Sequence, residues 1–232
     1  MSVTRRPGML ALLGGGEWRP GCHDLDAELI VASGAKEVVV IPAAAAFEHP
    51  ERVDERARVH FDQLGIRVRT LPVLHRAEAN DPKIAEIVRR ARFVYLCDGS
   101  PLHLRSVLKG SALFDAVLSA YHGGASFAAS GAGATLVGDP MVDPRGGAYT
   151  VGLGLVPNLA VFPYHGTAAD HMRERSIDLL PPTAKLVGID EETGLVRDRD
   201  GKWRVYGAGV VTVYEGRAVR EYASGDAVAE LG

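Results

Sequence analysis

The segment from Ala128 to Ala134 has the residue types that a nucleophile elbow requires. It reads A-A-S-G-A-G-A, after a short apolar run and before a helical pattern. In such an elbow the nucleophile lies in a tight strand-to-helix turn, and the residues two places to either side must be small. The next backbone N–H helps to form an oxyanion pocket at the helix N-terminus. The composition is typical of acyl-transfer sites, and equally of a turn that is merely closely packed.

Other residues of reactive or ligand-binding type carry weaker signals. Residues 14–16 are all glycine but lack the G-x-G-x-x-G pattern, so we interpret them as a close approach of the backbone to a crevice at the sheet edge. Cys97 lies on a predicted strand and is interpreted as a small buried hydrophobe. His75, His103 and His122 follow no metal-ligand spacing, and neither a metal nor a cofactor is predicted.

The elements around these residues predict an α/β fold with a mostly parallel sheet. Short apolar runs alternate with stretches of helical periodicity, and strands separated by helices imply right-handed crossovers. The predicted strands are Leu10–Leu13, Glu37–Ile41, Ile66–Leu71, Phe93–Cys97 and Ala125–Ala129. The predicted helices are Asp24–Ser33, Glu51–Leu64, Asp81–Ala91 and Ala112–Tyr121.

The pattern changes near the C-terminus, where turn signals stand between runs of alternating residues. Asp200-Gly201 and Glu215-Gly216 are such signals, and each is typical of a β-hairpin. We therefore predict an antiparallel extension over residues 185–222 that closes the same sheet. Without a linker or repeat, residues 1–232 are predicted to form a single domain.

Composition narrows the classes of partner and compartment. The chain has 232 residues, 47% of them hydrophobic, which is enough for a full core. A formal net charge of -3 without long basic runs argues against nucleic acid. No apolar run approaches the roughly 20 residues that a membrane span needs, so no membrane partner is predicted. The two cysteines have no disulfide or metal spacing, and we predict a cytoplasmic protein. A homodimer is compatible with the sequence.

Five further motifs follow one another over nearly the whole chain. They are L-L-G-G-G-E at 12–17, L-C-D-G-S-P-L at 96–102, the stretch 104–116, G-L-G-L-V-P at 152–157 ahead of His165, and G-I-D-E-E-T-G-L at 188–195. Together with the elbow they resemble the cyanophycinase and aspartyl dipeptidase (dipeptidase E) family of serine peptidases. The resemblance implies a three-layer α/β sandwich, similar to class I glutamine amidotransferases and flavodoxin-like proteins.

On this resemblance, Gly131 stands where the family has its catalytic serine. The family's elbow reads glycine, threonine or serine, the nucleophilic serine, then alanine-glycine-alanine, whereas this chain reads A-S-G-A-G-A at 129–134. Because glycine has no side chain to attack a carbonyl, the resemblance implies a pseudoenzyme on a hydrolase scaffold. Glycine also adopts the elbow backbone with little penalty, while other residues are strained there by about 1–3 kcal/mol.

The resemblance also assigns the remaining site residues. His165 matches the catalytic base, with His171 as an alternative, and Glu191 is the preferred triad carboxylate, with Asp190 and Asp139 as alternatives. Residues assigned to the oxyanion pocket and crevice are Gly15, Gly16, Asp98, Gly99 and Ala132.

Two substitutions alter the loop that follows the fourth predicted strand. Asp98 replaces a family glycine and Pro101 a family glutamine. We expect the Asp98 carboxylate to repel a developing oxyanion, and Pro101 has no N–H to donate.

Two hypotheses on function follow. In the first, the protein is catalytically impaired and binds a small acidic peptide or amino-acid-like ligand. The family's preference for N-terminal aspartyl groups implies a cationic contact, for which Arg105 and Arg173 are candidates. In the second, the protein is an active serine-type hydrolase of aspartyl or isoaspartyl peptide bonds that uses Ser130, His165 and Glu191. The neighbours of Ser130 are small enough for an elbow, but a slip by one residue would exchange the faces of the strand.

Overall fold

The computed structural model describes residues 6–216 and 218–231. The first strands and those of the chain's middle are β1 Leu10–Leu13, β2 Glu37–Ile41, β3 Arg67–Thr70, β4 Phe93–Leu96, β5 Ser126–Ser130, β6 Gly138–Asp139, β7 Met141–Val142, β8 Tyr149–Thr150, β9 Val156–Pro157 and β10 Leu159–Pro163. The last strands are β11 Lys185–Ile189, β12 Thr193–Arg197, β13 Trp203–Gly207, β14 Val211–Glu215 and β15 Ala218–Tyr222. The α-helices are α1 His23–Ser33, α2 Pro50–Gln63, α3 Arg76–Ala79, α4 Pro82–Arg90, α5 Pro101–Leu108, α6 Ala112–His122, α7 Ala132–Val137 and α8 Asp170–Asp178.

The main sheet has seven strands in the order β13-β12-β1-β5-β4-β2-β3. The strands β1, β5, β4, β2 and β3 are parallel, as the alternation of strands and helices predicts, and β12 runs antiparallel to β1. Leu13 pairs with Ser130, and Leu96 pairs with Ala129, so the carboxyl ends of β1, β4 and β5 meet at one edge. The loops that carry the candidate site leave the sheet at this edge.

Helices cover both faces of the main sheet, which explains why its strands are continuously apolar. Successive strand residues alternate between two apolar clusters: Ala11 and Leu13 pack with α1 and α2, whereas Leu10 and Leu12 pack with α4 to α7. On β5, Ala128 belongs to the first cluster and Ala129 to the second. The predicted α/β fold is confirmed.

A second sheet has six strands in the order β15-β14-β11-β10-β6-β9. Val161 of β10, Val187 of β11 and Val213 of β14 belong to the same apolar cluster as α4 to α7. The opposite face of this sheet carries Phe162 and Tyr214, against which Met172 of α8 packs. The strands β7 and β8 form a separate two-stranded pair.

The prediction that the C-terminal hairpins extend one sheet is wrong in its details. Both hairpins form, but β12–β13 joins the main sheet beside β1, whereas β14–β15 joins the second sheet beside β11. Alternation and turn residues specify a hairpin locally, whereas the sheet edge that receives it is decided by tertiary packing. The assignment of 1–232 to one domain stays a prediction.

Within the described part of the chain, no helix is both long and apolar enough to cross a membrane. Cys22 and Cys97 are buried free thiols. Burial raises the pKa of Cys97 well above its usual value, which keeps this thiol in its unreactive protonated form.

Candidate active site

Gly131 occupies a sharp turn between the end of β5 and the start of α7. Its backbone angles are φ 48° and ψ -107°, outside the regions that other residues readily adopt. The strand-turn-helix arrangement is that of a nucleophile elbow, and the small residues around Gly131 allow β5 and α7 to approach closely. Gly131 therefore lies at the elbow position that the motif alignment assigns to it.

The Asp98 carboxylate lies directly over this elbow. Its Oδ1 accepts a hydrogen bond from the N–H of Ala132 at 2.6 Å and another from the N–H of Gly99 at 2.7 Å. A Cβ atom added to Gly131 would lie 2.0 Å from Asp98 Oδ1. The carboxylate thus takes both the space of a nucleophilic side chain and the two N–H groups assigned to the oxyanion pocket.

The expectation that Asp98 repels a developing oxyanion stays a prediction. The structure adds that Asp98 itself supplies a negative charge that these two backbone donors stabilise. Gly99 is required because a Cβ there would lie 2.3 Å from the carbonyl oxygen of Ala44. Pro101 is the first residue of α5, where its missing N–H leaves no helical hydrogen bond unmade.

Tyr164 closes the other side of the Asp98 carboxylate. Its hydroxyl donates a hydrogen bond to Asp98 Oδ2, and its backbone N–H donates to the Gly14 carbonyl at 2.7 Å. A Cβ on Gly15 would lie 2.4 Å from the Tyr164 ring, which explains the glycine at that position. Burial and the nearby Asp98 charge raise the pKa of Tyr164, so its hydroxyl keeps the proton that it donates.

His165 points toward the second sheet rather than toward a hydroxyl at the elbow. Its Nε2 lies 2.8 Å from the Tyr214 hydroxyl and its Nδ1 lies 3.7 Å from Asp190 Oδ1. Loss of solvation lowers the pKa of His165, although Asp190 opposes this shift. A Cβ on Gly188 would lie 2.2 Å from the imidazole, so this glycine makes room for the ring.

The structure brings an alternative carboxylate, Asp190, beside His165, whereas the preferred Glu191 has other contacts. Glu191 Oε1 lies 3.5 Å from Arg19 Nη1, and its Oε2 accepts a hydrogen bond from the Thr167 hydroxyl at 3.4 Å. Asp139 lies on β6 and accepts a hydrogen bond from the Gly152 N–H at 3.1 Å. His171, the alternative base, is exposed on α8.

Ser130 faces away from the elbow tip. Its side chain is fully buried and its hydroxyl donates a hydrogen bond to Glu17 Oε2 at 2.9 Å. Its neighbour two places back, Ala128, belongs to the cluster beneath α1 and α2, as the alternation along a strand requires. Ser130, His165 and Glu191 are therefore each bonded to different partners and not to one another.

Glu17 is a buried carboxyl group at the floor of the site. Its side chain is only 5% exposed, and burial, followed by the Asp98 charge, raises its pKa. Arg56 Nη2 lies 3.4 Å from Glu17 Oε1 and donates to the Glu17 carbonyl at 3.3 Å. The Arg56 guanidinium also lies over the Trp18 ring, 5.6 Å from its centroid.

A crevice of about 820 Å³ opens above these residues. Its walls are the loop 16–19, helix α2, residues 98–99, Tyr164 and Glu191. The crevice contains three arginines, Arg19, Arg52 and Arg56, and five carboxyl groups, Glu17, Glu48, Glu55, Asp98 and Glu191. The lining thus carries charges of both signs, with carboxyl groups in the majority.

The cationic contacts proposed from the sequence lie elsewhere. Arg105 donates to the Val151 carbonyl at 2.7 Å, and Arg173 pairs with Asp170 and donates to the His165 carbonyl at 3.3 Å. The sequence does carry a signal for the arginines of the crevice. Arg52 and Arg56 are four residues apart, and residues at this spacing share one face of a helix. Tyr164 carries no such signal, and the only signal at Glu17 is that it is the last residue of the motif at 12–17.

No metal centre is found among the residues that the structure describes, where no three His, Cys, Asp or Glu side chains are placed to hold an ion together. The prediction that metal and cofactor are absent stays a prediction.

The fold and the elbow define the class of this protein, an α/β scaffold of the serine-peptidase type. The sequence profile of Peptidase family S51 matches residues 10–204, and the chain belongs to this family. The resemblance inferred from the motifs is thereby confirmed.

Several relatives are similar along most of their length. A cyanophycinase from Trichormus variabilis is 25% identical over 215 residues, covering 88% of this chain and 72% of that protein. A cyanophycinase from Synechococcus elongatus is 25% identical over 228 residues, covering 91% of this chain and 69% of that protein.

Two solved structures are similar to this chain over nearly its whole length. A peptidase from an acI-B1 Actinobacterium superposes with a TM-score of 0.88 at 29% identity, covering 97% of this chain and 98% of that one. A putative peptidase E protein from Listeria monocytogenes EGD-e has a TM-score of 0.63 at 16% identity, covering 93% of this chain and 98% of that one, and it shows the fold alone.

Proposed function

We propose that this member of Peptidase family S51 does not catalyse peptide hydrolysis and instead binds small acidic peptides in the crevice. The observation that carries the proposal is the position of the Asp98 carboxylate on the N–H groups of Gly99 and Ala132, above an elbow that holds Gly131.

Acyl transfer by a serine peptidase needs a nucleophile, a general base and donors for the oxyanion. Gly131 offers no nucleophile. His165, which the family resemblance assigns as the base, has its Nε2 beside the Tyr214 hydroxyl. The oxyanion donors already bind the Asp98 carboxylate. Each of the three requirements is unmet, which argues against restoring activity by a single substitution.

The alternative hypothesis of an active hydrolase needs Ser130 as its nucleophile. Its hydroxyl is buried and donates to Glu17, and the residues that would have to activate it are bonded elsewhere. Moving Ser130 to the elbow tip would shift the register of β5 and turn its buried faces around. These contacts favour the binding protein over the hydrolase.

The crevice can supply complementary charge for an acidic peptide. Arg56 is held by Trp18 and by both the carbonyl and the carboxyl group of Glu17, and 54% of its side chain remains exposed. Arg52 lies one turn earlier and makes no ion pair with any residue in 6–216 or 218–231. A guanidinium pair of this kind binds carboxylates well, and Asp98 or Glu191 can receive a ligand ammonium group.

The experiment is calorimetric titration of the purified protein with Asp-Ala, β-Asp-Ala and Lys-Ala, together with an assay for released amino acids. We expect the acidic dipeptides to bind, Lys-Ala to bind more weakly, and no amino acid to be released. Arg52→Ala and Arg56→Ala should each weaken the binding of Asp-Ala by about tenfold, the usual loss for a charge-assisted hydrogen bond.

Arg58→Ala is the matched control because Arg58 lies on the same helix and pairs with Asp54 at 2.7 Å, outside the crevice. Its affinity for Asp-Ala should equal that of the wild type. The proposal is overturned if neither acidic dipeptide binds. It is also overturned if Arg58→Ala loses as much affinity for Asp-Ala as Arg52→Ala and Arg56→Ala do. The cytoplasmic location and the homodimer stay predictions from the sequence.

A further inference from the structure

A second cavity, of about 240 Å³, lies on the far side of Asp98 and Tyr164 from the crevice. Apolar side chains dominate its lining, and six of its residues are Pro101, Ala132, Val142, Phe162, Ala168 and Met172. We call it the apolar pocket. It lies under the N-terminus of α8 and reaches Ala132, the residue that follows the elbow.

The crevice and the apolar pocket share three lining residues, Asp98, Gly99 and Tyr164. Asp98 and Tyr164 are hydrogen-bonded to each other, so together they form the wall between the two cavities. The elbow itself lies at this junction, because Asp98 also accepts the Ala132 N–H. A ligand that lies across Asp98 and Tyr164 therefore has a charged cavity on one side and an apolar cavity on the other.

The volume of the apolar pocket limits what it can hold. Sites for drug-sized ligands have about 300–1,000 Å³, so a cavity just below that range suits one side chain rather than a whole second ligand. The Thr135 hydroxyl in its wall is already engaged, since it donates to the Val161 carbonyl at 2.7 Å. A polar side chain would find few free partners there, whereas an apolar one would be removed from water.

We propose that the ligand is a peptide with an acidic residue followed by a large apolar residue, whose side chain enters the apolar pocket. This inference rests on the proposed function, because it takes the acidic residue to lie in the arginine-lined crevice. It adds a selectivity that the charges of the crevice do not provide: Asp-Leu should bind in preference to Asp-Asn, whose second side chain has a similar shape but is polar.

The test measures the affinities of Asp-Leu and Asp-Asn by calorimetric titration. We expect the affinity for Asp-Leu to exceed that for Asp-Asn by roughly tenfold or more, as full burial of a leucine side chain implies. Two variants examine the pocket itself. Met172→Gln places a polar side chain of similar length in the wall, and Ala169→Leu adds volume at the residue before α8, which also lines the pocket. Each should reduce the preference for Asp-Leu at least threefold while leaving Asp-Asn unchanged.

Glu174→Gln is the matched control, because Glu174 is exposed on α8 and does not line the pocket. Thermal unfolding of all three variants verifies that they fold. If both dipeptides bind with equal affinity and neither pocket variant changes the ratio of the two affinities, the apolar pocket does not bind the side chain of the second residue. The inference then fails, while the proposed function stands. If neither dipeptide binds, the proposed function fails and this inference fails with it.

Discussion

The Oδ1 atom of Asp98 and the backbone N–H of Ala132 are joined by a 2.6 Å hydrogen bond across the elbow. In a serine peptidase the equivalent N–H helps to stabilise the oxyanion of the reacting acyl group. Here the donor binds a carboxylate from the protein's own chain, and Tyr164 holds that carboxylate from the other side. The Asp98 carboxylate thus occupies both the space beside Gly131 and the N–H of Ala132, which links the glycine at the elbow to the aspartate at position 98.

Substituting Gly131 should destabilise the fold without creating activity. We expect Gly131→Ala to lower the free energy of unfolding by roughly 2–5 kcal/mol, from a strained backbone and from overlap with Asp98. Gly34→Ala is the control: Gly34 also has a positive φ of 63°, but an added Cβ meets nothing within 4 Å. It should cost only about 1–2 kcal/mol. Urea unfolding measures both, and equal losses would show that Asp98 does not fill the elbow.

Removing Asp98 should partly rescue the substituted elbow. We compare the double mutant Gly131→Ala/Asp98→Ala with the two single mutants. Its loss of unfolding free energy should be smaller than the sum of the two single losses by about 1 kcal/mol or more, because the overlap disappears. Chemical denaturation of the four proteins gives the coupling energy. Additivity within about 0.5 kcal/mol would contradict the contact between the two positions.

Ser130→Ala should affect stability but not peptide chemistry. The lost hydrogen bond leaves the buried Glu17 carboxyl with one partner fewer, which typically lowers the free energy of unfolding by about 1–3 kcal/mol. Ser126→Ala is a comparable control, because Ser126 is also buried on β5 and donates to the Leu29 carbonyl at 2.9 Å. Affinity for Asp-Ala should stay within about twofold of wild type in both. If Ser130→Ala loses affinity for Asp-Ala and Ser126→Ala does not, Ser130 has a functional role.

Glu17 should make the protein less stable as the pH rises. Its folded-state pKa is raised by burial, so above the unfolded value of 4.5 the folded state retains a proton that the unfolded state has released. The free energy of unfolding therefore falls with increasing pH from about 4.5 up to the raised pKa. Glu17→Gln removes this contribution and should be flatter than wild type over that interval. Parallel curves for the two proteins would show that Glu17 is not perturbed in this way.

The sequence predicted the main sheet well because its signals are local. Glu37–Ile41 and Leu10–Leu13 are strands with the predicted bounds, since apolar runs between turn residues leave few alternatives. The second sheet was not predicted. Two of its strands, β6 and β9, have only two residues each, and β6 pairs with β10 while β9 pairs with β6. Such short strands carry no periodic pattern of their own.

The site was predictable only where a motif fixes the backbone. The elbow at Gly131 follows from its small residues and from the alignment with the family. The binding of Asp98 to the Ala132 N–H does not follow, because it depends on a distance between two loops that are 34 residues apart in the chain. The same limit applies to Arg56 and Glu17, and to the pairing of His165 with Asp190 instead of Glu191.

The absence of peptidase activity is tested by a long incubation of the wild-type protein with Asp-Leu, Asp-Ala and β-Asp-Ala, with released amino acids quantified by mass spectrometry. Ser130→Ala and His165→Ala, purified in the same way, distinguish the protein's own activity from a contaminating peptidase. For a binding protein without peptidase activity, we expect wild type to release no amino acid above the buffer level, under conditions where calorimetry detects bound Asp-Ala. Release by wild type that both substitutions abolish would contradict this expectation and establish an active hydrolase that uses Ser130.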